Sequence, residues 1–339
     1  MYFEKTIRRR IDGDAPSDVW ASLFDYFWPS YKVWFLSEGI AARPTYAASR
    51  KAIVKHMPEM ASLYDQICEA AGGGDIASRF LSMYCPPAYV TGCSQAVFDT
   101  PTGPQLIRNY DYHPSLFEGV CLQTNWMGKR VTGVADGVWG LLDGMNEDGL
   151  AASLSFGGRR DLGQGFGVPI IIRYVLQVCS TVAEAVEVLK SIPTHLAYNI
   201  TLVDRTGARA TVEIAPDGAT VFSGRGHATN HQEHDQSWMG YLKAVKSHDR
   251  ERMILDAEAA HFGTQSMIDM FRTQPFLNKL YSRSYGTLYT SLYDPRSGVI
   301  QMILPHTHLV YTMDSMPVGN DICGFLEPEM TWVPEGDKP

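Results

Sequence analysis

Two kinds of sequence pattern alternate along the chain. Blocks with apolar residues at helical spacing are followed by blocks of short β-type runs joined by tight turns, in the order helices, strands, helices, strands, helices, strands. Strands linked by hairpins form antiparallel sheets, and each sheet must cover its apolar face. We therefore predict an α+β fold in which two mainly antiparallel sheets form a sandwich between helical layers, the αββα arrangement.

The first block, of about ninety residues, is predicted to be helical. It carries two long apolar patterns of helical spacing, one around Trp20 to Trp28 and one over 47–71, which Gly72-Gly73-Gly74 ends. A shorter helix starts at Asp75, and Pro86-Pro87 closes the block. The basic run at 8–10 is followed by Asp12 and Asp14, and we interpret it as a solvated terminus.

The remaining 250 or so residues hold the other blocks. Strands are predicted at 96–98, 105–110, 120–123, 131–134, 150–156, 198–203, 208–214, 219–222, 287–293, 299–304 and 309–313. Helices are predicted at 169–178, 180–191, 236–260 and 264–271.

Composition excludes several classes of protein. A formal net charge of -8 argues against a nucleic-acid surface, which needs clustered Lys and Arg. No stretch reaches the roughly 18 apolar residues of a membrane helix, and the start lacks the order of a signal peptide, so we expect a cytoplasmic protein. Six cysteines without a Cys-x-x-Cys pair form neither a disulfide framework nor a structural zinc site.

Cys93 stands at the junction between the helical block and the first strand. A lone cysteine of this kind is most often a buried, inert thiol. Here, however, Gly92 precedes it and allows a strained peptide, while the turn at 101–103 can bring Arg108 beside the thiol and lower its pKa. No histidine stands in a Cys-His signature, so the base of a Cys93 nucleophile would be its own freed α-amine, whose ordinary pKa is about 7.7 to 8.0.

Several short motifs in order resemble one family. The chain resembles the N-terminal-nucleophile hydrolases, and among them the choloylglycine hydrolase and isopenicillin N acyltransferase-like group. The resemblance runs from Cys93 to the last strands and rests on Gly92-Cys93-Ser94, Arg108-Asn109-Tyr110-Asp111, the run 143–151, Thr229-Asn230-His231 and Leu288-Tyr289-Thr290-Ser291. A helical segment of 92 residues matches the propeptide of the acyltransferase-like branch better than the short one of bile-salt hydrolases.

The resemblance implies a role for each matching residue. Cys93 would be the nucleophile, with Arg108 against its thiol. Asp111 would hold the α-amine, and Asn230 would donate from its side-chain amide to the oxyanion. In an ideal strand Arg108 and Asp111 point to opposite faces, so the chain would have to bend or end near Tyr110 for both to reach Cys93.

Three further site assignments follow from the resemblance. The family's late arginine is assigned to Arg283, with Arg250 and Arg252 as alternatives. Ser155 stands where the bile-salt branch has asparagine, and we assign it to substrate binding. Asn146 is assigned there too, although an Asn in this position also shapes the turn from Met145 to Gly149.

The resemblance predicts an enzyme made as a zymogen. Residues 1–92 would be a pro-segment and 93–339 the catalytic domain, held together as a heterodimer after a cut between Gly92 and Cys93. The enzyme would act on linear amide C–N bonds through a thioester on Cys93, as an amidase or acylase. The alternative is an acyltransferase that passes the acyl group to an amine. We expect no cofactor, no metal and a small-molecule amide substrate, and leave the oligomeric state open.

Three other interpretations remain open from sequence alone. The spacing of His227, His231 and His234 can place metal ligands on one helical face. A papain-like hydrolase would instead pair Cys93 with His195 or His306 and need no cleavage. A non-catalytic binding protein on the same fold is the third, since a fold does not fix a function.

Overall fold

A computed structural model of the chain describes residues 1–234, 238–283 and 285–327. The helices are α1 (Asp18–Phe35), α2 (Tyr46–His56), α3 (Ala61–Ala70), α4 (Asp75–Leu81), α5 (Val168–Val178), α6 (Val182–Ser191), α7 (Met239–Ala244), α8 (Ser247–Ala259) and α9 (Thr264–Phe271). The strands are β1 (Tyr2–Ile11), β2 (Gly92–Thr100), β3 (Gly103–Tyr112), β4 (Val120–Thr124), β5 (Val131–Asp136), β6 (Gly140–Asn146), β7 (Ala151–Phe156), β8 (Tyr198–Val203), β9 (Arg209–Ala215), β10 (Gly218–Ser223), β11 (His227–Ala228), β12 (Lys279–Leu280), β13 (Tyr285–Tyr293), β14 (Val299–Ile303), β15 (His308–Thr312) and β16 (Gly319–Leu326).

The strands form two sheets. The first sheet has the order β10-β9-β8-β7-β6-β5-β4-β1-β16, and the second has the order β11-β2-β3-β13-β14-β15, with β12 on β13. Neighbouring strands run antiparallel, except that β1 runs parallel to β4. The predicted pair of mainly antiparallel sheets is confirmed.

Helices cover both outer faces of this sandwich. α5 and α6 pack on the first sheet, and α8 and α9 pack on the second. α5 is buried from Val168 to Gln177, and α6 begins at a capping box between Thr181 and Glu184. Within the described ranges, no helix is long and apolar enough to cross a membrane. The layers are therefore α, β, β, α, as the sequence predicted.

The first eleven residues differ from the prediction. The region 18–81 is mainly helical, as expected, but Tyr2–Ile11 is a strand between β4 and β16, and Ile7 is fully buried. Reading the basic run 8–10 as a solvated terminus was therefore wrong. Arg9 pairs with Asp321 at 3.1 Å, and Arg10 donates to the Gly319 carbonyl at 2.9 Å, so partners from the far end of the chain accommodate the charges.

Other regions also depart from the predicted elements. The helical pattern over 47–71 is two helices, α2 and α3, separated at Pro58, and β11, β12 and β16 were not predicted. β6 was not predicted, because its glycines obscure the strand pattern: a side-chain carbon at Gly144 would lie 2.7 Å from the Thr132 carbonyl oxygen of β5, so the close approach of the two strands requires glycine. The predicted helix 236–260 is two helices, α7 and α8, separated at Lys246, whose φ is 51°. Its expected start at Gln236 lies outside the described residues.

Candidate active site

Cys93 lies on β2, directly opposite Tyr110 on β3. The hairpin through Thr100 and Gly103 sets a regular register, so Arg108 lies opposite Gln95 and shares the inner face of the second sheet with Cys93 and Tyr110. Cys93 and Arg108 are both fully buried between the sheets. The structure thus brings Arg108 beside Cys93, as the hairpin predicted.

The Cys93 thiol has two polar neighbours. Nη2 of Arg108 donates to Sγ at 3.3 Å, and the Thr91 hydroxyl lies 3.8 Å away. Burial raises the pKa of the Cys93 thiol above its ordinary value, and the Arg108 guanidinium opposes this without overcoming it. The sequence argument considered only the cation; in the intact chain the loss of water around the thiol outweighs it.

The Arg108 guanidinium is held by a buried network that joins the two sheets. Nη1 pairs with Asp143 on β6 and donates to the Tyr289 hydroxyl at 2.7 Å, and Nε donates to the Leu154 carbonyl at 2.9 Å. Tyr289 and Tyr293 both donate to Asp143, Tyr289 at 2.6 Å. The guanidinium is therefore fixed in orientation, and one of its nitrogens remains directed at the thiol.

The backbone of Cys93 is held by Asn230 and Arg250. The Cys93 N–H donates to Oδ1 of Asn230 at 3.0 Å, and Nη1 of Arg250 donates to the Cys93 carbonyl at 2.8 Å. Nη2 of Arg250 also donates to Asn230 Oδ1 at 2.8 Å, while Asn230 Nδ2 donates to the Phe156 carbonyl at 3.1 Å. Two donors thus fix the amide orientation, and Asn230 presents an acceptor to Cys93 in the intact chain, whereas a donor was expected.

Asp111 reaches the site from the opposite face of the second sheet. It pairs in register with Gly92, accepts from the Thr287 hydroxyl at 2.7 Å and lies 4.0 Å from Nη1 of Arg250. Burial raises the pKa of Asp111, and the Arg250 charge opposes the rise. Arg108 contacts the thiol while Asp111 flanks the preceding residue, so the bend expected near Tyr110 is unnecessary.

Gly92 is required for a reason other than the predicted backbone strain. Its φ lies outside the left-handed region, but a side-chain carbon there would come within 2.5 Å of the Tyr285 ring and 3.2 Å of Asp111 Oδ2. Close packing against Asp111 and Tyr285 therefore selects glycine at this position.

The assignment of the late arginine to Arg283 needs correction. It is exposed on the short helical turn 281–283, and Arg252 is exposed on α8. Arg250 is fully buried, because it shares the inward face of α8 with Ser247, Ile254 and Ala257. Of the three arginines considered, Arg250 is the one that contacts Cys93.

Asn146 and Ser155 are both buried but do not contact the thiol. Asn146 Nδ2 donates to the carbonyls of Leu176 and Cys179 at 2.9 and 2.7 Å, so its amide fixes the end of α5 and the adjoining turn. The Ser155 hydroxyl donates to the Thr229 carbonyl at 2.6 Å and supports the segment that carries Asn230. Asn146 therefore stabilises the end of α5, and Ser155 helps to position the segment that carries Asn230.

The structure bears on the two alternatives that are based on histidine. His227 lies on β11 and His231 in the following loop, so the predicted helical face of three histidines does not form. A different group, His231, His248 and Glu251, has ligand atoms within 4.8 Å of one another and can hold a metal ion. His195 bonds the Gly163 carbonyl at 2.7 Å, and His306 is exposed. Within the described ranges neither has a hydrogen bond to Cys93.

A cavity of about 400 Å³ opens beside Tyr110, the cross-strand neighbour of Cys93. Its walls come from α1, β1, β3 and the turn after β5, and Tyr110 forms the wall nearest Cys93. Tyr26 and Leu116, at its mouth, are 63% and 56% exposed, so it connects to solvent.

Sequence analysis missed three residues of the site in part or in full. It gave no role to Asp143 or Tyr289, and it gave Arg250 only as an alternative to Arg283. Asp143 and Tyr289 stand inside motifs that were recognised, yet nothing in a Gly-rich run or an apolar strand marks a residue as the counterion of a distant arginine. For Arg250, the apolar spacing of Ile254 and Ala257 with Ser247 on α8 was the available signal.

Comparison with known proteins gives the following similarities. The family model described as acyl-coenzyme A:6-aminopenicillanic acid acyl-transferase matches residues 99–308, which is more than half of the chain and includes Arg108, Asp111, Asn230 and Arg250. No curated protein sequence matches the chain.

Three solved structures resemble parts of the fold. A mutant of conjugated bile acid hydrolase from Clostridium perfringens is 16% identical with a TM-score of 0.45, and covers 69% of this chain and 96% of its own. A second variant of that hydrolase is 16% identical with a TM-score of 0.44, covering 72% and 100%. Penicillin V acylase from Agrobacterium tumefaciens is 17% identical with a TM-score of 0.45, covering 66% and 87%.

The buried Arg108–Asp143 pair predicts a large loss of stability when it is broken. Asp143→Ala leaves the guanidinium uncompensated between the sheets and should lower the free energy of unfolding by about 3 to 5 kcal/mol. Asp65→Ala breaks the exposed pair with Arg50 and serves as the control, with an expected loss of about 1 kcal/mol or less. Chemical denaturation measures both variants, and equal losses would contradict the role given to Asp143.

Proposed function

The chain belongs to the acyl-coenzyme A:6-aminopenicillanic acid acyl-transferase family, as the sequence resemblance predicted, and from this premise we propose that it is an N-terminal-nucleophile amidase that activates itself by cutting between Gly92 and Cys93. The observation that carries the proposal is the placement of Cys93: its thiol contacts Arg108, and its backbone nitrogen lies 3.0 Å from Asn230 Oδ1. A buried thiol with a cation on one side and a held nitrogen on the other is suited to both the cut and the later turnover.

The cut begins with attack of the Cys93 sulfur on the Gly92 carbonyl carbon. A C–S bond forms, the C–N bond breaks, and the nitrogen gains the proton that the thiol gives up. Water then hydrolyses this thioester, which leaves a carboxylate on Gly92 and returns the thiol. The close packing of Gly92 against Asp111 and Tyr285 keeps this peptide in place during the attack.

The new α-amine of Cys93 becomes the base of the mature enzyme. Its ordinary pKa of about 7.7 to 8.0 lets it accept the thiol proton near neutral pH. Asn230 Oδ1 already accepts from this nitrogen in the intact chain, and Asp111 lies beside the preceding residue on the other face. We give both residues the role of holding the amine, which for Asn230 stands beside the donation to the oxyanion that the resemblance implies.

In turnover Cys93 attacks the amide carbonyl of a small-molecule substrate. The acyl group forms a thioester with Sγ, and the α-amine passes the thiol proton to the leaving amine. Water then releases the acid and completes hydrolysis of a linear amide C–N bond. Since the family is described as an acyl-transferase, transfer of the acyl group to a second amine is the other candidate outcome.

The N-terminal segment remains part of the enzyme in this proposal. β1 lies between β4 and β16, so removing it would separate β16 from the first sheet. The Trp20 indole donates to the Val138 carbonyl at 3.3 Å, and the Trp139 indole donates to the Leu81 carbonyl at 2.9 Å. The two products of the cut would therefore stay together as a heterodimer.

Self-cleavage is tested first by size. The chain of 37.7 kDa should give fragments of about 10 and about 27 kDa on a denaturing gel, in proportion to chain length, and migrate as one particle in native buffer. Cys93→Ala should remain a single chain, because no nucleophile adjoins Gly92. Cys85→Ala, which removes a half-buried cysteine eight residues earlier, should still be cut. If the wild-type protein hydrolyses amides while it remains a single uncut chain, the cleavage hypothesis is contradicted.

The acyl-enzyme is the second expected observation. Mature protein treated with an activated acyl ester and quenched in acid should carry the acyl mass on the fragment that begins with Cys93. Added amines that shorten the lifetime of this adduct and appear in an amide product would favour acyl transfer over hydrolysis. Full turnover after alkylation of the Cys93 thiol would exclude the mechanism.

Variants of Asn230 separate its two candidate roles. Asn230→Ala should fold and be cut, but lose about 10² to 10³ in turnover if its amide donates to the oxyanion. Asn230→Asp retains the acceptor and removes the donor, so nearly normal turnover would assign Asn230 to holding the amine. Asp111→Asn should slow both the cut and turnover. Rates of cutting and of amide hydrolysis are measured separately, and near-normal values in all three variants would mean that the site is elsewhere.

A further inference from the structure

The cavity beside Tyr110 contains a buried carboxylate that the proposed mechanism does not use. Glu118 is 3% exposed and lines this cavity. Its Oε1 accepts from the Val138 N–H at 2.8 Å and from the Tyr31 hydroxyl, while Oε2 is buried and has no hydrogen-bond partner among the described residues. Leaving a buried carboxylate oxygen unpaired is costly, which indicates that a donor from outside the chain completes it.

A second carboxylate shares the same hydroxyl group. Asp136 lies 3.2 Å from the Tyr31 hydroxyl, which has a single hydrogen and accepts from the Gly137 N–H. Burial and the neighbouring Glu118 raise the pKa of Asp136 to about 7, and burial also raises the pKa of Glu118. Two acidic groups therefore compete for one donor at the inner end of the cavity.

The remaining groups around the cavity do not supply that donor. Lys5 lines the cavity and its charge interacts with Glu118, but it forms no ion pair within 4 Å and no hydrogen bond among the described residues, and burial lowers its pKa. Tyr110 and Tyr112 also line the cavity, and burial raises their pKa values, so they stay neutral. The Arg108 charge acts on Asp136, but its guanidinium is bonded to Asp143 and Cys93. Aromatic rings thus surround an acidic end, a combination that suits an ammonium group.

We propose that this cavity, the Glu118 cavity, binds a primary ammonium group at the far end of the acyl portion of the substrate. The ammonium would donate to Glu118 Oε2, and the acyl chain would pass Tyr110 to place its carbonyl at Cys93, the cross-strand neighbour of Tyr110. The inference rests on the proposed amidase function and narrows its substrates to amides of amino-terminated acyl groups.

The cut at Gly92 bears on access to this cavity. Tyr89 lines the cavity three residues before the scissile bond, and the Tyr241 hydroxyl holds the Thr91 carbonyl at 2.9 Å. After cleavage the segment from Tyr89 to Gly92 would be a chain end, and movement of Tyr89 would open the cavity wall on the side of the scissile bond. The pro-segment thus supplies part of the wall of the Glu118 cavity.

Matched amides test the proposal. The substrates are 4-nitroanilides of 4-aminobutanoic, 6-aminohexanoic and 8-aminooctanoic acids, each paired with the acid that carries methyl in place of the ammonium and with the one that carries hydroxyl. For the best chain length, mature wild type should favour the ammonium member by about 10- to 100-fold in kcat/KM, the range for a hydrogen bond to a charged group. Glu118→Gln should abolish the preference, while Glu59→Gln, which changes a carboxylate bonded to Tyr174 outside the cavity, should keep it.

Binding to the uncut Cys93→Ala chain provides a readout independent of turnover. Calorimetry should show 6-aminohexanamide binding more tightly than hexanamide, and Glu118→Gln in the same background should remove the difference. If hydrolysis depends on Cys93 but all members of a pair react equally, the Glu118 cavity is overturned and the amidase stands. Equal preference for hydroxyl and ammonium also overturns it, because charge is then not recognised. If no amide is hydrolysed and no acyl-Cys93 forms, the amidase proposal fails, and calorimetry alone decides the cavity.

Discussion

The buried ion pair between Arg108 and Asp143 joins the two halves of the sandwich. Each side chain is fully buried, Arg108 on the second sheet and Asp143 on the first, and separating either from its partner would leave a charge in the interior. Hydroxyls of Tyr289 and Tyr293 and the Leu154 carbonyl complete the hydrogen bonds of the pair. The same guanidinium contacts the Cys93 thiol, so the ion pair that joins the two sheets also fixes a charged neighbour of this thiol.

The position of β1 explains how the chain would keep its fold after the proposed cut beside Cys93. Hydrogen bonds to β4 and β16 hold this strand, and none of them depends on the peptide between Gly92 and Cys93. α1 continues from β1 and forms one wall of the Glu118 cavity, with Tyr31 at the carboxylates. The N-terminal segment is thus a structural part of the sheet and of the cavity, which a removable propeptide would not be.

Local patterns predicted the parts of this structure that local forces decide. Hairpin turns and alternating residues gave the sheets, and the short turn before Gly103 gave the register that places Arg108 near Cys93. Distant partners decided the rest. The strand with the three arginines pairs with β16 about 310 residues later, and the choice of Arg250 over Arg283 depends on which face of α8 packs inward. Neither partner nor face can be read from the neighbouring sequence.

The geometry around Cys93 suits the proposed single cut and the proposed repeated turnover in different ways. In the intact chain the Cys93 nitrogen belongs to an amide and donates to Asn230, so it cannot act as a base, and burial raises the pKa of the adjacent thiol. A poor nucleophile suffices for an event that happens once per chain. The proposed cut would convert that amide into an amine at the same place, already held by Asn230, and would give the thiol its base.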